Sequence, residues 1–377
     1  MSKLPLPKTG CSLVIKGRDC SFSLWPVGRT IRRYGLQSHI FAYNPWAVIK
    51  NSIRLRCPDS AKAQALAFIG QAEDYFKAAT SGGVIAAKPV LLYYSFLNLA
   101  KAFALTEGKA SNLGKIGHGL SEQGGGGQKF SGAYIEAYQS TTKKVQAFDI
   151  FQEALTGGRL TTKKEYKMPH LIPQILQGHR LWGAAANKTE RFIQLEKIVF
   201  MHDVSSKFIW LTFYLVKEDL TRFGISGKRL LEESGLNNFK KVKCDQKNGN
   251  NKPLLEFEQK TSLAYSHLPT DKLADLVKTV KNKIWTNVLS VPPYRKYYIY
   301  LCPPADKKQL LPQLLSIYAL FFYLGSVTRY TPHKFDKIID GHFGAQIQEA
   351  ITNLPNQFLY LMASEFAHQD VTRAAIV

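Results

Sequence analysis

Residues 89–108 read PVLLYYSFLNLAKAFALTEG, and this run decides the fold. It opens on Pro89, which suits the first turn of a helix because its missing N–H would have had no partner there. Apolar side chains fill most positions to Leu105, and Gly108 is the stop. A helix that is apolar nearly all round belongs at the centre of a domain. Just upstream, residues 60–79 (SAKAQALAFIGQAEDYFKAA) put Ala65, Phe68, Ile69, Ala72, Tyr75 and Phe76 on one stripe at spacings of three and four. Asp59 or Ser60 caps this helix and Ser81-Gly82-Gly83 ends it. Small residues in the first helix and bulky ones in the second suit an antiparallel hairpin.

Outward from this pair the pattern changes twice. Residues 1–57 are short apolar runs broken by turn residues. The pairs Trp25-Pro26 and Pro45-Trp46 argue against helix through them, which leaves strands or an extended arm. Residues 110–129 are loop-like, with Gly124–Gly127 in a row. Short helices are expected over 145–156 and 169–182. Between 187 and 305, β-branched and aromatic runs (Phe192–His202, Phe208–Leu215, Phe239–Lys243, Leu254–Gln259, Tyr294–Leu301) alternate with Asn, Gly, Asp and Pro. A short helix at 226–234 and a longer one at 271–288 interrupt these strands. An apolar helix over 306–328 follows, then helices over 344–353 and 356–367. The expected organisation is a basic arm (1–57), a helical region (58–186), an α+β region (187–305) and C-terminal helices (306–377) packing back on the helical region. The fold class is α+β and helix-rich.

The chain of 377 residues is 45% hydrophobic and 21% charged, which excludes global disorder. Fifty Lys+Arg face 28 Asp+Glu, a net charge of +22. Such a charge speaks of partners: nucleic acid first, then an anionic membrane surface, then an acidic protein. The excess falls from +11 over residues 1–120 to +7 over 121–250 and +4 over 251–377. In the arm, Arg29, Arg32, Arg33, Lys50, Arg54 and Arg56 alternate with Tyr34, Phe41, Tyr43 and Trp46. Cations for phosphates and flat faces for bases are what single-stranded RNA or DNA requires. The five cysteines are an odd number without a CxxC pair, so neither a disulfide framework nor a cysteine zinc site is expected. The start has no apolar core of a signal peptide. The longest apolar stretch, residues 317–327, is about half of a bilayer crossing. A cytoplasmic protein with no membrane partner is the expectation.

Three patches resemble a known family. They are Pro89–Ala102, the loop Gly117-His118-Gly119-Leu120-Ser121, and Tyr323-Leu324-Gly325-Ser326-Val327-Thr328-Arg329-Tyr330-Thr331-Pro332. Their order and spacing resemble the YaaC-like bacterial proteins over about residues 58–377, a family with little assigned biochemistry. The helix pair with its YYSFLNLAKA run also looks like the HEPN superfamily, which implies a HEPN-like helical core with an α+β insertion behind the N-terminal arm. Many HEPN proteins are metal-independent ribonucleases or their inactive relatives, common in bacterial defence and toxin–antitoxin systems.

That resemblance implies an Arg and a His four to six residues apart, with Arg polarising phosphate and His moving the proton. Arg33 and His39 meet the spacing but lie in the arm. Arg329 and His333 have three residues between them, one a Pro. His118 and Ser121, in a Gly-flanked loop, are candidates for a phosphate-holding turn. No phosphate-binding glycine motif, nucleophile elbow or metal-ligand spacing is present, so no metal or cofactor is expected. The sequence assigns no reaction. The leading expectation is a non-catalytic nucleic-acid-binding subunit of a bacterial defence or stress assembly. The alternatives are a HEPN-like ribonuclease and a scaffold for an acidic protein.

Overall fold

The computed structural model describes residues 2–3, 10–15, 17–26, 39–82, 85–123 and 130–375. Helix accounts for 48% and strand for 22%, so the α+β, helix-rich class holds. The chain divides into two compact units. One comprises residues 1–41, 191–305 and 368–377, and the other residues 42–190 and 306–367.

The second unit is the helical one, and the Lys88–Thr106 helix is its centre. It packs on Asp59–Ser81, Ala147–Thr156, Gln313–Tyr330 and Gly344–Ala367. The hairpin is antiparallel: Ser95 Oγ donates to the Ala72 carbonyl, Asn98 Nδ2 to Gln71, and Gln64 meets Asn112 and Leu113. Alanines 61, 65, 72 and 79 line the first helix and are buried, so the bulky second helix can approach. Phe96 stacks on Phe358 at 3.9 Å and meets Phe321 edge-on at 5.0 Å, while Phe103 meets Phe366 at 5.1 Å. Each buried phenylalanine contributes about 1.5–3 kcal/mol of transfer free energy. An antiparallel three-stranded sheet, Leu120–Gln123, Tyr134–Ala137 and Lys164–Lys167, belongs to the same unit.

The first unit is built on an antiparallel sheet. Phe208–Val216 is its central strand, paired with Lys197–Asp203 on one side and with Leu254–Gln259 and Thr261–Ala264 on the other. Phe239–Val242 adds to Leu254–Gln259, and Cys11–Ser12 adds to Lys197–Asp203. A smaller sheet joins Ile284–Val288, Arg295–Tyr300 and Phe192–Gln194. One core runs from Leu13, Phe22 and Trp25 through Phe200, Leu211 and Phe257 to Ile299.

Several local expectations differ from the structure. The segment with Pro45-Trp46 is helical, Pro45–Arg56. Asn44 caps it through its side chain, and Pro45 sits in the first turn, where proline needs no amide partner. The helix expected over 271–288 is short, Leu273–Lys278, and Ile284–Val288 is a strand. There Ile284 and Trp285 pair across to Ile299 and Tyr298, and sheet burial overrides local propensity. The two terminal helices are one, Gly344–Ala367, with Pro355 inside it. After that helix, Asp370–Arg373 is a strand paired with His39–Ala42.

Candidate cation, aromatic and histidine cluster

The three quoted patches, far apart in sequence, converge on one surface of the helical unit. Tyr93 and Tyr94 come from the central helix, His118 from the glycine-flanked loop, and Arg329 and Tyr330 from the last turn of Gln313–Tyr330.

Two glycines set the geometry. Gly325 faces the central helix, where an added β-carbon would stand 3.1 Å from the Pro89 carbonyl and 3.3 Å from Tyr93 Cβ. This close crossing brings Arg329, one turn further on, to Tyr94. Gly119 has φ +78°, a left-handed backbone that glycine adopts without strain, and a β-carbon there would meet Phe148 N at 3.0 Å. On either side, Gly117 exchanges backbone hydrogen bonds with Val145 and Ala147, and Tyr138 N donates to the Gly119 carbonyl. His118 is therefore carried on a pinned turn.

Its imidazole Nδ1 lies 2.6 Å from the Tyr93 hydroxyl. Tyr93 and Tyr318 are both buried, with rings 5.8 Å apart. Burial, then the neighbouring Tyr318 and Tyr94, push the Tyr93 phenol well above its ordinary range, so it stays protonated. Burial lowers the His118 pKa, and the positive charges of Lys101 and Arg329 lower it further. The ring is thus neutral at neutral pH. Lys101 follows Tyr94 by two helical turns on the same face. Burial lowers its pKa too, and its ammonium rests 5.1 Å from the Phe68 ring centre.

Arg329 is exposed and bonded to tyrosines. Its guanidinium donates to the hydroxyls of Tyr94 and Tyr330 and lies over the Tyr330 ring at 4.3 Å. Tyr75 extends the aromatic surface, 5.7 Å from Tyr94. Among the described residues, neither Arg329 nor Lys101 has a carboxylate partner. The nearby carboxylate of Glu122 accepts instead from Ser326 Oγ at 3.2 Å. Two cations with no carboxylate partner among the described residues, a neutral imidazole, the exposed Tyr330 and the half-buried Tyr94 and Tyr75 make a surface suited to an anion carrying a flat group.

The other candidates fall elsewhere. Arg29, Arg32 and Arg33 lie outside the described residues, as do Gly124–Gly127. Lys50 is ion-paired to Glu73 at 2.6 Å, and Arg56 bonds Glu107 at 2.7 Å and the Phe366 carbonyl. Both tie the Pro45–Arg56 helix to its neighbours, and only Arg54 of the three is fully exposed. His39 lies in the sheet unit, 3.9 Å from Asp370, whose carboxylate pairs with Arg295 at 3.2 Å. His333 is exposed in the first turn of Pro332–Ile339. The helix carrying Arg329 ends at Tyr330, so a break in the backbone separates the two. Ser121 Oγ meets the Tyr138 hydroxyl at 3.1 Å, within the small sheet. Tyr93, Tyr94 and Lys101 were missing as site residues. The signal was their polar atoms on a helix that is otherwise apolar.

Among the described residues no group of His, Cys, Asp or Glu is placed to hold a metal, and no helix is long and apolar enough to cross a membrane. The fold is that of a two-unit α+β protein with a cationic, aromatic surface cluster on its helical unit. The chain belongs to the YaaC-like protein family, whose model matches residues 39–366 and so spans the whole cluster. No curated protein and no solved structure matches it.

Proposed function

We propose that this protein binds single-stranded nucleic acid, with the Lys101–His118–Arg329 cluster as its phosphate site and Tyr94, Tyr330 and Tyr75 as faces for bases. The observation that carries this reading is Arg329: an exposed guanidinium held by two tyrosines, with no carboxylate partner among the described residues. The net charge of +22 supplies the long-range attraction. Each stacked base contributes about 1–3 kcal/mol and tolerates any sequence. The test is titration of labelled single- and double-stranded RNA and DNA across a salt series in EDTA. Binding that weakens steeply with salt, and more weakly for Arg329→Ala than for wild type at every salt, supports the reading. Binding that is absent near physiological salt, or unchanged by Arg329→Ala and Lys101→Ala, overturns it. Membership of a bacterial defence or stress assembly belongs to the same proposal and is tested by co-purification from the native host.

One observation favours a second reading, a metal-independent ribonuclease. His118 is neutral and stands beside Lys101 and Arg329, and a neutral imidazole can take the proton of a ribose 2′-hydroxyl. Denaturing gels of the same EDTA samples decide it. Cut RNA that stays intact with His118→Gln supports catalysis, and intact RNA with wild type leaves a binding protein only.

A further inference from the structure

The sheet unit carries a second chemical cluster, made of a thiol, an imidazole and a phenol. Cys11 and His202 are direct cross-strand partners between Cys11–Ser12 and Lys197–Asp203. Cys11 Sγ lies 3.6 Å from His202 Nε2. The other ring nitrogen, Nδ1, lies 3.4 Å from the Tyr265 hydroxyl. That hydroxyl donates its proton to the Asp203 carbonyl at 3.3 Å. Having donated, its oxygen can only accept from the ring. The Nδ1–H tautomer satisfies both contacts and turns a bare Nε2 lone pair to the thiol. The thiol also lies 3.8 Å from the His202 carbonyl, a weaker acceptor than the ring nitrogen.

The backbone that presents Cys11 is seated by its neighbour. A β-carbon at Gly10 would stand 2.0 Å from the Trp210 ring, so only glycine lets the strand lie flat on that indole. Of the five cysteines, Cys11 alone is exposed, while Cys57 and Cys302 are buried and Cys20 and Cys244 partly so. Burial pushes the Cys20 thiol up to about 11 and raises Cys57 and Cys244 as well. Burial also lowers the His202 pKa, against the pull of the Asp203 carboxylate, so the ring is unprotonated at neutral pH. Asp203 itself is held by Ser205, whose amide and hydroxyl both bond its Oδ1.

We propose that Cys11, His202 and Tyr265 form a thiol-activating relay, and that Cys11 is a modification site for low-molecular-weight disulfides. In the step, His202 Nε2 takes the Cys11 proton. The thiolate attacks one sulfur of the small disulfide, a new S–S bond forms to Cys11, and the old S–S bond breaks. The departing thiolate collects the proton from the imidazolium, so no further oxidant is required. The other titratable groups facing the thiol and ring are Tyr265, which stays protonated, and the Asp203 carboxylate.

The experiment uses the full chain, with 5,5′-dithiobis(2-nitrobenzoate) as the chromogenic disulfide and oxidised glutathione as the physiological kind. One fast-reacting thiol is expected, assigned to Cys11 by peptide mass and lost in Cys11→Ser. A free thiol is only a few per cent thiolate at pH 7, so His202→Gln should slow the fast phase by at least about tenfold there. The wild-type rate should exceed that of His202→Gln throughout about pH 6–7, because the imidazole 3.6 Å from the thiol takes its proton. Tyr265→Phe should show a smaller slowing, since it frees the tautomer without removing the base. Equal rates for wild type and His202→Gln across this range, or a fast phase that survives Cys11→Ser, overturn the relay. If His202→Gln does not fold, Tyr265→Phe decides: a fast phase as rapid as wild type overturns the relay too.

Discussion

Gly325 and Tyr93 lie in contact where two helices cross, with 3.3 Å between the site of a Gly325 β-carbon and Tyr93 Cβ. The absence of a side chain at Gly325 lets Arg329 reach Tyr94. Gly325→Val should push the helices apart and destabilise the helical unit by about 1–3 kcal/mol, as overpacking does. Gly325→Ala needs only a few tenths of an ångström of relief and should cost less. Chemical denaturation measures both, and a Val variant as stable as wild type would show that the crossing yields freely.

Arg329→Ala and Lys50→Ala separate the cluster from the arm. Lys50 is held by Glu73, so its removal should leave nucleic-acid affinity nearly unchanged. Arg329→Ala should weaken it and lower the salt slope by about 0.7 on a single strand, the share of one phosphate contact. The reverse order of effects, read by fluorescence anisotropy, would move the site to the arm.

His118 offers a spectroscopic check. Its titration, followed by NMR, should fall below the ordinary histidine value, because burial and two positive neighbours disfavour the charged ring. Lys101→Ala and Arg329→Ala should each raise it, since each removes a repelling charge. Tyr93→Phe keeps the ring packing but strips Nδ1 of its partner, and should cost about 1 kcal/mol of stability.

Stability should depend on pH in a direction set by three histidines. His39, His118 and His202 all have folded pKa values below the ordinary one. A pH unit or more above about 6.5 they are neutral both folded and unfolded, and contribute no pH dependence. As pH falls through about 6.5 the unfolded chain takes up protons first, so stability is lost on acidification until the folded groups also titrate. Urea midpoints between about pH 7 and pH 5 should fall, and His118→Gln should flatten part of that fall.

Asp370→Ala should strongly destabilise the sheet unit. Its carboxylate and the Arg295 guanidinium are 0% and 2% exposed and 3.2 Å apart. Arg295 also donates to the Val371 carbonyl at 2.8 Å and lies 5.1 Å from the Trp25 ring. Removing one partner of a buried ion pair costs about 3–5 kcal/mol. A loss below about 1 kcal/mol in urea denaturation would mean water reaches the pair.

The amino-acid sequence alone determined the helical hairpin, the late apolar helix, the strand-rich middle and the cationic character. Those are encoded locally, in apolar periodicity, in stops such as Gly108 and in composition. It also singled out His118 and Arg329, though without joining them. Only the tertiary structure decided which polar residues meet. Arg329 and Tyr94 are 235 residues apart, and no local period links them. Their contact exists because Gly325 lets two buried helices cross closely. Cys11 and His202, separated by 191 residues, meet through strand register in the same way. Pro45 was misread because a proline that breaks a helix interior also starts one, and Asn44, which caps it, resolves which. In the arm, charge is visible in sequence and pairing is not: Lys50 and Arg56 are bound to Glu73 and Glu107, carboxylates that only folding brings to them.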